Sequence, residues 1–424
     1  MIFSRGVETL DRVILHVDCN KFFASVECLH RPEIRHLPVA VGGSVEKRHG
    51  IVLTANGLAS ARGVKTAMPL WQALNRCPDL VVVPPNYPLY VRFSGLAKSI
   101  YCRYTDMVEP FGLDECWLDV TDNVKDIEEG RLLAEEIRQT IKDELGITVS
   151  IGVSWNKVFS KLGSDYKKPD AVTVFTRENY KNLIYPLPVR DLLYIGPATE
   201  KKLLARGLFS IGDIAESTPE ELCSFLGING YMLHSFASGS EDSPVKNCEH
   251  KRGIKSIGNS VTAPRDLVCF EDVKLTFSVL SETVARRLRD SGLKAKSIGI
   301  SMRNSELKTI TRQLSLSFAT ASERVLLHAA MELFENNTDK PFKIRSIGIC
   351  AFNLEDENGT VQFDLFGEVK ENIKYERLEK TVDRLRCRFG NNCVKKASQM
   401  TDMNLTDFDP YEEHKVHPEG WFRL

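Results

Sequence analysis

Apolar and polar positions alternate in blocks along the chain of 424 residues. Val13-Ile14-Leu15-His16-Val17 is an apolar run ending on Asp18, and it predicts a buried strand with a carboxylate at its end. Phe111 to Val120 is apolar at both ends and carries Asp114 and Glu115 in the middle, which predicts two strands joined by a tight turn. Between them, Val39 to Gly43 and Gly50 to Thr54 predict short strands, and Leu58 to Gly63 and Leu70 to Leu74 predict short helices. Val81-Val82-Val83 closes this small α/β lobe, and a helix from about Tyr87 to Tyr104 follows. After the hairpin, Leu133, Ile137, Ile141 and Leu145 recur every four residues, the stripe of an amphipathic helix, and Ile147 to Val153 predicts another strand. Strand, insert, helix, hairpin, helix, strand is the order of a split-βαβ sheet, here expected to carry its helices on one face.

Further on, Leu192 to Ile214 reads as helix, turn, helix, with the turn at Tyr194 to Thr199. Backbone N–H groups around Gly196 at such a turn can hold a phosphate oxygen. Tyr194 stands where a helix-hairpin-helix usually has its first glycine, and a plain αα-hairpin would read the same. Glu241 to Asn247 is polar and without period, as expected of a linker. Beyond it Lys255-Ser256-Ile257-Gly258 recurs as Lys296-Ser297-Ile298-Gly299 and Arg345-Ser346-Ile347-Gly348. Each copy reads as part of a strand. A helix striped by Val273, Phe277, Leu280, Val284 and Leu288 lies between the first two copies. Strands presenting Lys or Arg and Ser on one face, with helices behind, suit a phosphate backbone. After Leu354 the chain turns acidic and polar, with a helical stretch near Tyr375 to Phe389.

Composition narrows the class. Hydrophobic content of 42% and charge of 27% are those of an ordinary globular protein. No run approaches a membrane span, and the first ten residues are too polar for a secretory signal. The eleven cysteines include no C-x-x-C pair, which argues against a zinc site or disulfide framework and suits a reducing cytoplasm. A net charge of -1 hides an asymmetry: Lys246 to Leu354 carries 18 Lys+Arg against 11 Asp+Glu, a net of +7, and the remainder carries -8. That distribution suits a polyanion-binding module, although a basic solvated surface would look alike.

Two adjacent carboxylates among apolar neighbours require a proton, a base or a divalent cation. If the first strand lies beside the hairpin, Asp18, Asp114 and Glu115 meet in an oxygen-rich site suited to magnesium or manganese. Two such ions can clamp an in-line phosphoryl transfer. A nucleotidyl cyclase would share the paired carboxylates but need no basic C-terminal module. A non-catalytic DNA-binding subunit would need no carboxylates.

The pieces together resemble the Y-family (translesion) DNA polymerases of the bacterial DNA polymerase IV and UmuC type. The resemblance rests on Val17-Asp18 with Phe22-Phe23-Ala24-Ser25-Val26-Glu27, on Gly112-Leu113-Asp114-Glu115-Cys116-Trp117-Leu118-Asp119, on Gly152-Val153-Ser154 with Asn156-Lys157, on Asp165 with Lys168-Pro169, and on Lys255-Ser256-Ile257-Gly258. It implies an α/β, right-hand polymerase. The expected parts are a split-βαβ (ferredoxin-like) palm at 1–19 and 86–175, fingers at 20–85 and a helix-hairpin-helix thumb at 176–242. A linker at 243–252, an α/β little finger at 253–355 and a tail at 356–424 complete the chain. It implies two magnesium ions, with manganese able to substitute, on Asp18, Asp114, Glu115 and the Cys19 carbonyl. Phe22, Phe23, Thr54 and Lys168 match nucleotide-binding positions, and the Phe23 ring matches the gate that excludes a 2′-hydroxyl. Gly196, Lys255, Ser256, Lys296 and Arg345 are the expected DNA contacts. Gln362, Leu365 and Phe366 resemble the motif that docks on the sliding clamp (β). The expected partners are primer-template DNA, deoxynucleoside triphosphates and that clamp. The chain is expected to act as a monomer in the cytoplasm, off the membrane, as a low-fidelity polymerase in damage tolerance and repair. One departure stands out: Gly57 and Ser60 occupy positions that usually carry an aromatic or basic residue and a basic residue. Arg62, Lys65 and Arg48 are the nearby candidates to replace them.

Overall fold

The computed structural model describes residues 11–43, 50–248, 253–339, 341–359 and 368–408. Of these, 11–42 and 52–248 form one compact unit, and 253–339, 341–359 and 368–408, with 43, 50 and 51, form a second.

In the first unit β1 (Ile14–Cys19) runs into α1 (Phe22–His30), followed by β2 (Val39–Gly42), β3 (Val52–Ala55), α2 (Gly57–Ala61), α3 (Leu70–Arg76) and β4 (Val81–Val83). Next come α4 (Tyr87–Tyr101), β5 (Val108–Pro110), β6 (Glu115–Asp119), α5 (Ile127–Leu145), β7 (Val149–Ser154), α6 (Lys157–Tyr166) and β8 (Val172–Val174). Five strands form a sheet in the order β5-β6-β1-β7-β8. β1 is antiparallel to both β6 and β7, and β8 adds parallel to β7 at the edge. The first four are the split-βαβ arrangement that the pattern predicts.

The sheet carries helices on both faces, not one. Successive strand residues point to opposite sides. Gly130 of α5 lies against Val13 and Val153, so α5 covers the face that also carries Val17 and Ile151. α6 lies on the other face, over Gly152: a Cβ there would come within 1.8 Å of the Ser160 carbonyl oxygen and 2.5 Å of the Ser164 nitrogen. Gly163 supplies the second half of the approach, its own Cβ position lying 2.8 Å from the Gly152 Cα. Apolar strand residues mark the α5 face without a break, whereas the α6 face mixes Ile14 and Trp117 with His16, Asp18, Ser150 and Ser154.

β2, β3 and β4 make a separate small sheet with β2 central, antiparallel to β3 and parallel to β4. Its core is Ala40, Val52, Ala55, Ala59, Leu70 and Ala73. α7 (Tyr180–Ile184), α8 (Pro197–Leu204), α9 (Ile211–Glu216), α10 (Pro219–Leu226) and α11 (Asn229–Ser238) complete the unit around Trp155, Phe159, Leu203, Leu222 and Leu233. α9 and α10 open with capping boxes, Ser210 with Asp213 and Thr218 with Glu221. The turn at Tyr194 to Thr199 is not flanked by two helices as its pattern predicts. Leu192 is extended, Tyr194 takes a left-handed φ of 67°, and Pro197 starts α8 three residues later.

In the second unit β9 (Ser256–Leu267), α12 (Phe270–Asp290), β10 (Leu293–Asn304), β11 (Thr309–Thr320), α13 (Glu323–Glu335), β12 (Ile344–Asp356) and α14 (Glu368–Phe389) follow in order. The four strands are antiparallel in the order β11-β10-β12-β9. Phe277, Leu280, Val284 and Leu288 of α12 pack in one core with Ile257, Ile298 and Ile347, the isoleucine of each Lys/Arg-Ser-Ile-Gly copy. Residues 368–408, within the stretch expected as a tail, instead fold onto this unit. Arg289 of α12 donates to Glu379 at 2.6 Å and to Asp383 at 2.7 Å on α14, and Leu405 is buried in the shared core. Composition hides this because α14 docks by charge and not by an apolar stripe.

Candidate active site

Hydrogen bonding in the first unit sets Asp18 directly opposite Glu115, and His16 opposite Trp117. All four side chains share the α6 face. Asp114 precedes β6 in the hairpin turn, where its carbonyl accepts from the Cys19 N–H at 3.0 Å. The turn closes through the Phe111 N–H to the Glu115 carbonyl at 3.0 Å. Thus the three carboxylates expected to meet lie on neighbouring strand ends. Burial raises the Asp18 pKa to about 7, against the pull of Lys168, with Glu115 adding to the rise. Burial also raises Asp114 to about 6, with Asp18 contributing. Two buried carboxylates whose ionised forms are disfavoured, with oxygen as the only donor, suit a hard divalent cation.

Ammonium groups hold the carboxylate oxygens. Lys168 Nζ lies 2.7 Å from Asp18 Oδ2, and Lys161 Nζ lies 2.9 Å from Glu115 Oε1. Asp165 joins the two lysines, at 3.8 Å to Lys161 and 2.7 Å to Lys168. Among the described residues, no three His, Cys, Asp or Glu side chains converge as a ready metal cage. Lys168 is placed by Asn20, whose Oδ1 accepts the Asp170 N–H at 2.8 Å while its amide donates to Ser150 Oγ at 2.8 Å. The Cys19 side chain points to the opposite face, with its sulfur 3.9 Å from the Tyr101 hydroxyl, so only its backbone can serve the carboxylate side. His16 is fully buried. Its Nδ1 is 2.8 Å from Ser164 Oγ, and burial, then Lys161 and Lys168, lower its pKa well below the usual value.

At the start of α1, Phe22 is buried and Phe23 is half-buried. The Phe23 ring stacks on Tyr90 of α4, with centroids 4.3 Å apart and planes 14° apart. Tyr90 is fixed in turn by donating to Glu27 Oε1 at 2.6 Å. Thr54 lies half-buried on β3 opposite Val41. Gly57 begins α2, capped by Asn56, and nothing stands within 4 Å of where its Cβ would be. Ser60 Oγ donates to the Ala55 carbonyl at 3.4 Å. Arg62 is committed to Asp79. Lys65 is exposed, and Arg48 lies outside the described residues. Gly196 is the exposed N-cap of α8.

In the second unit the expected Lys-and-Ser face needs a correction, because strict alternation puts neighbours on opposite sides. Lys296 keeps regular register with β12 between Ala295 and Ser297, the extra residues at that point lying on β11, whereas Arg345 is an extra residue of β12 opposite the Arg303–Asn304 step of β10. A bulge re-aims a side chain. Lys255 is exposed just before β9, Ser256 pairs with Phe352, and Lys296 reaches Glu355 at 3.2 Å. Gln362, Leu365 and Phe366 lie outside the described residues.

The candidate residues that sequence reasoning passed over are Lys161, Tyr90 and His16. In the sequence Lys161 is only one of four lysines between 157 and 168, on a stretch from Ser154 that reads as a helix whose lysines could meet phosphates or simply face solvent. Tyr90 had no signal beyond a helical context.

Comparison with known proteins agrees with this architecture. The profile of the impB/mucB/samB family matches residues 17–165, and that of its C-terminal domain matches residues 254–365. The DNA polymerase IV of Acetivibrio thermocellus is 48% identical over 396 residues, covering 93% of this chain and 99% of that one. DNA polymerase IV 1 of Bacillus subtilis is 36% identical over 392 residues, covering 92% and 93%. The solved Y-family DNA polymerase chimera Dbh-Dpo4(243-245)-Dbh superposes with a TM-score of 0.72 at 26% identity, covering 80% of this chain and 98% of the chimera. Fold and relatives together define a DNA-directed DNA polymerase. The chain belongs to the Y-family, in the group of the bacterial DNA polymerases IV.

Proposed function

We propose that the chain extends a primer 3′-hydroxyl by template-directed addition of deoxynucleotides, as a low-fidelity translesion enzyme in damage tolerance and DNA repair. The observation that carries this reading is the Asp18–Glu115 register pair with Asp114 in the adjoining turn. In this reading 1–19 and 86–175 act as palm, 20–85 as fingers, 176–242 as thumb and 253–355 as little finger.

Asp18, Asp114, Glu115 and the Cys19 carbonyl would hold two magnesium ions, which supply activation of the 3′-hydroxyl and neutralise the leaving pyrophosphate. The chain's own side chains do the rest. Phe23, backed by Tyr90, meets the sugar and leaves no room for a 2′-hydroxyl. Phe22 and Thr54 shape the nucleotide pocket, and Lys168 meets the triphosphate. The exposed N–H groups at Gly196 and the Lys255, Ser256, Lys296 and Arg345 positions hold phosphates of primer-template DNA, an affinity that falls with salt. Gln362, Leu365 and Phe366 dock on the sliding clamp, and the enzyme works as a monomer in the cytoplasm.

Primer extension with each deoxynucleotide tests the reading. Template-matched addition that requires magnesium is expected. Cyclisation of a free nucleotide without primer, or no incorporation at any magnesium concentration, would overturn it.

A further inference from the structure

In the second unit α12, α13 and α14 do not close fully on one another. Between them and the segment 394–401 lies a cavity of about 620 Å³. Its walls carry Leu275 of α12, Leu327 of α13, Leu378 and Val382 of α14, and Val394. Charged side chains that dock α14 lie among them. Apolar walls with a few polar groups, and a volume between roughly 300 and 1,000 Å³, are the marks of a small-molecule site.

The carboxylates that line the cavity are held, with one exception. Glu379 accepts from Arg289 at 2.6 Å on one oxygen and from Ser322 Oγ at 3.0 Å on the other. Glu282 is held by Arg386 on one oxygen and by the Gln399 amide at 3.1 Å on the other. Asp383 accepts from Arg289 at 2.7 Å. Glu323 differs. It opens α13 and, at 6% exposed, is the most buried of these carboxylates. Lys396 holds its Oε2, but its Oε1 is buried with no hydrogen-bond partner among the described residues. Burial raises the Glu323 pKa against the pull of Lys396, so one ammonium does not fully replace the water this carboxylate has lost.

We propose that the cavity binds a small organic molecule carrying a primary amine on an apolar body, with the ammonium on Glu323 Oε1 and the body against Leu275, Leu327 and Val382. The site lies wholly in the second unit and uses none of the residues assigned to nucleotide addition. Glu323 can present the open oxygen by turning about its terminal torsion, whose minimum is broad. A single open oxygen suits the point charge of an ammonium, whereas the fork of a guanidinium matches both oxygens of a carboxylate. An anionic ligand would leave Oε1 unfilled and would lie among Glu282, Glu323 and Glu379. Nearby cations of the chain are engaged elsewhere: Arg324 pairs with Glu371 at 2.9 Å, and Lys395 with Asp407 at 3.5 Å.

The test uses the full chain and dansylcadaverine, a naphthalene sulfonamide bearing a primary amine on an alkyl arm, whose emission brightens in apolar surroundings. N-pentyl dansylamide has the same body and no amine. Wild type should bind the amine at least about tenfold more tightly than its neutral counterpart, as one charge-assisted hydrogen bond allows. Glu323→Gln should bring the two affinities to within about twofold of each other. Leu275→Trp fills the cavity from its wall and should remove binding of both, which keeps the site testable if Glu323→Gln does not fold. Hexylamine should displace the probe, and the peptide acetyl-Leu-Lys-Leu-amide at the same concentration should not. Equal affinity of wild type for the two probes, unchanged discrimination in Glu323→Gln, or binding retained in Leu275→Trp would overturn the site. Displacement by the peptide at a lower concentration than by hexylamine would overturn the small-molecule ligand and place the amine on a partner chain.

Discussion

The Phe23 ring lies nearly flat on the Tyr90 ring, 4.3 Å from centroid to centroid, and Tyr90 is held by Glu27. A sugar gate works only if its ring cannot swing aside, and this stack removes that freedom. Phe23→Ala should relax discrimination between deoxyribo- and ribonucleotides by about a hundredfold, or about 3 kcal/mol. Tyr90→Ala should relax it by no more than about tenfold, since an aromatic pair is worth about 0.5–1.5 kcal/mol. Tyr90→Phe, which keeps the stack, should change it least. The ratio of kcat/KM for matched ribo- and deoxyribonucleotides checks all three, and an unchanged ratio in Phe23→Ala would remove the ring from this role.

Asp18→Asn and Glu115→Gln preserve shape while removing charge. Each should abolish nucleotide addition, as should chelation of magnesium in the wild type. Affinity for primer-template DNA should stay within about twofold, because phosphate contacts elsewhere dominate it. Gel extension and fluorescence anisotropy on the same samples separate the two effects.

Arg62 pairs with Asp79 on the surface, a partner it would have to leave, so it is expected to replace the basic residue missing at Ser60 only in part. A triphosphate without that contact loses a charge-assisted hydrogen bond worth about 1.5–3 kcal/mol. The KM for nucleotide should therefore be high, and Ser60→Arg should lower it about tenfold or more with little change in kcat. Steady-state kinetics in which Arg62→Ala raises KM sharply, and Ser60→Arg does nothing, would show a clamp built from neighbouring residues.

Arg289 holds α14 to the second unit through Glu379 and Asp383, with its side chain only 5% exposed. Arg289→Met leaves both carboxylates without that partner. Breaking a buried pair from one side costs about 3–5 kcal/mol. The second unit should melt earlier and α14 should become open to limited proteolysis. Wild-type resistance to protease would mean that the helix is held by other contacts.

The apolar runs and the four-residue stripe were enough to read the central sheet and the neighbourhood of Asp18 and Glu115, because both depend on local burial. Lys161 was not legible as part of the site, since its partner lies 46 residues away and only the sheet register brings them together. The helix after β7 was legible, but its place on the second face was hidden for a related reason: it packs over glycine and serine, which leave no apolar period. Tyr194 misled in the opposite direction. It occupies a glycine position at φ 67°, a conformation that a bulky residue rarely takes, and the pattern around it suggested a leading helix that is absent. α14 was legible as a helix, but its docking by buried ion pairs left no apolar face to announce it.

Gly152 and Gly163 bring the backbone of α6 down onto β7 with no side chain between them. Contact between main chains cannot be relieved by a rotamer change, and close-packed interiors yield little. The frame carrying Lys161 above the carboxylates is therefore stiff, and the soft coordinates that remain are the torsions of the lysine side chains themselves. Charge can then be redistributed across the site by rotation about the lysine side-chain bonds, with no need for the slower displacement of a helix.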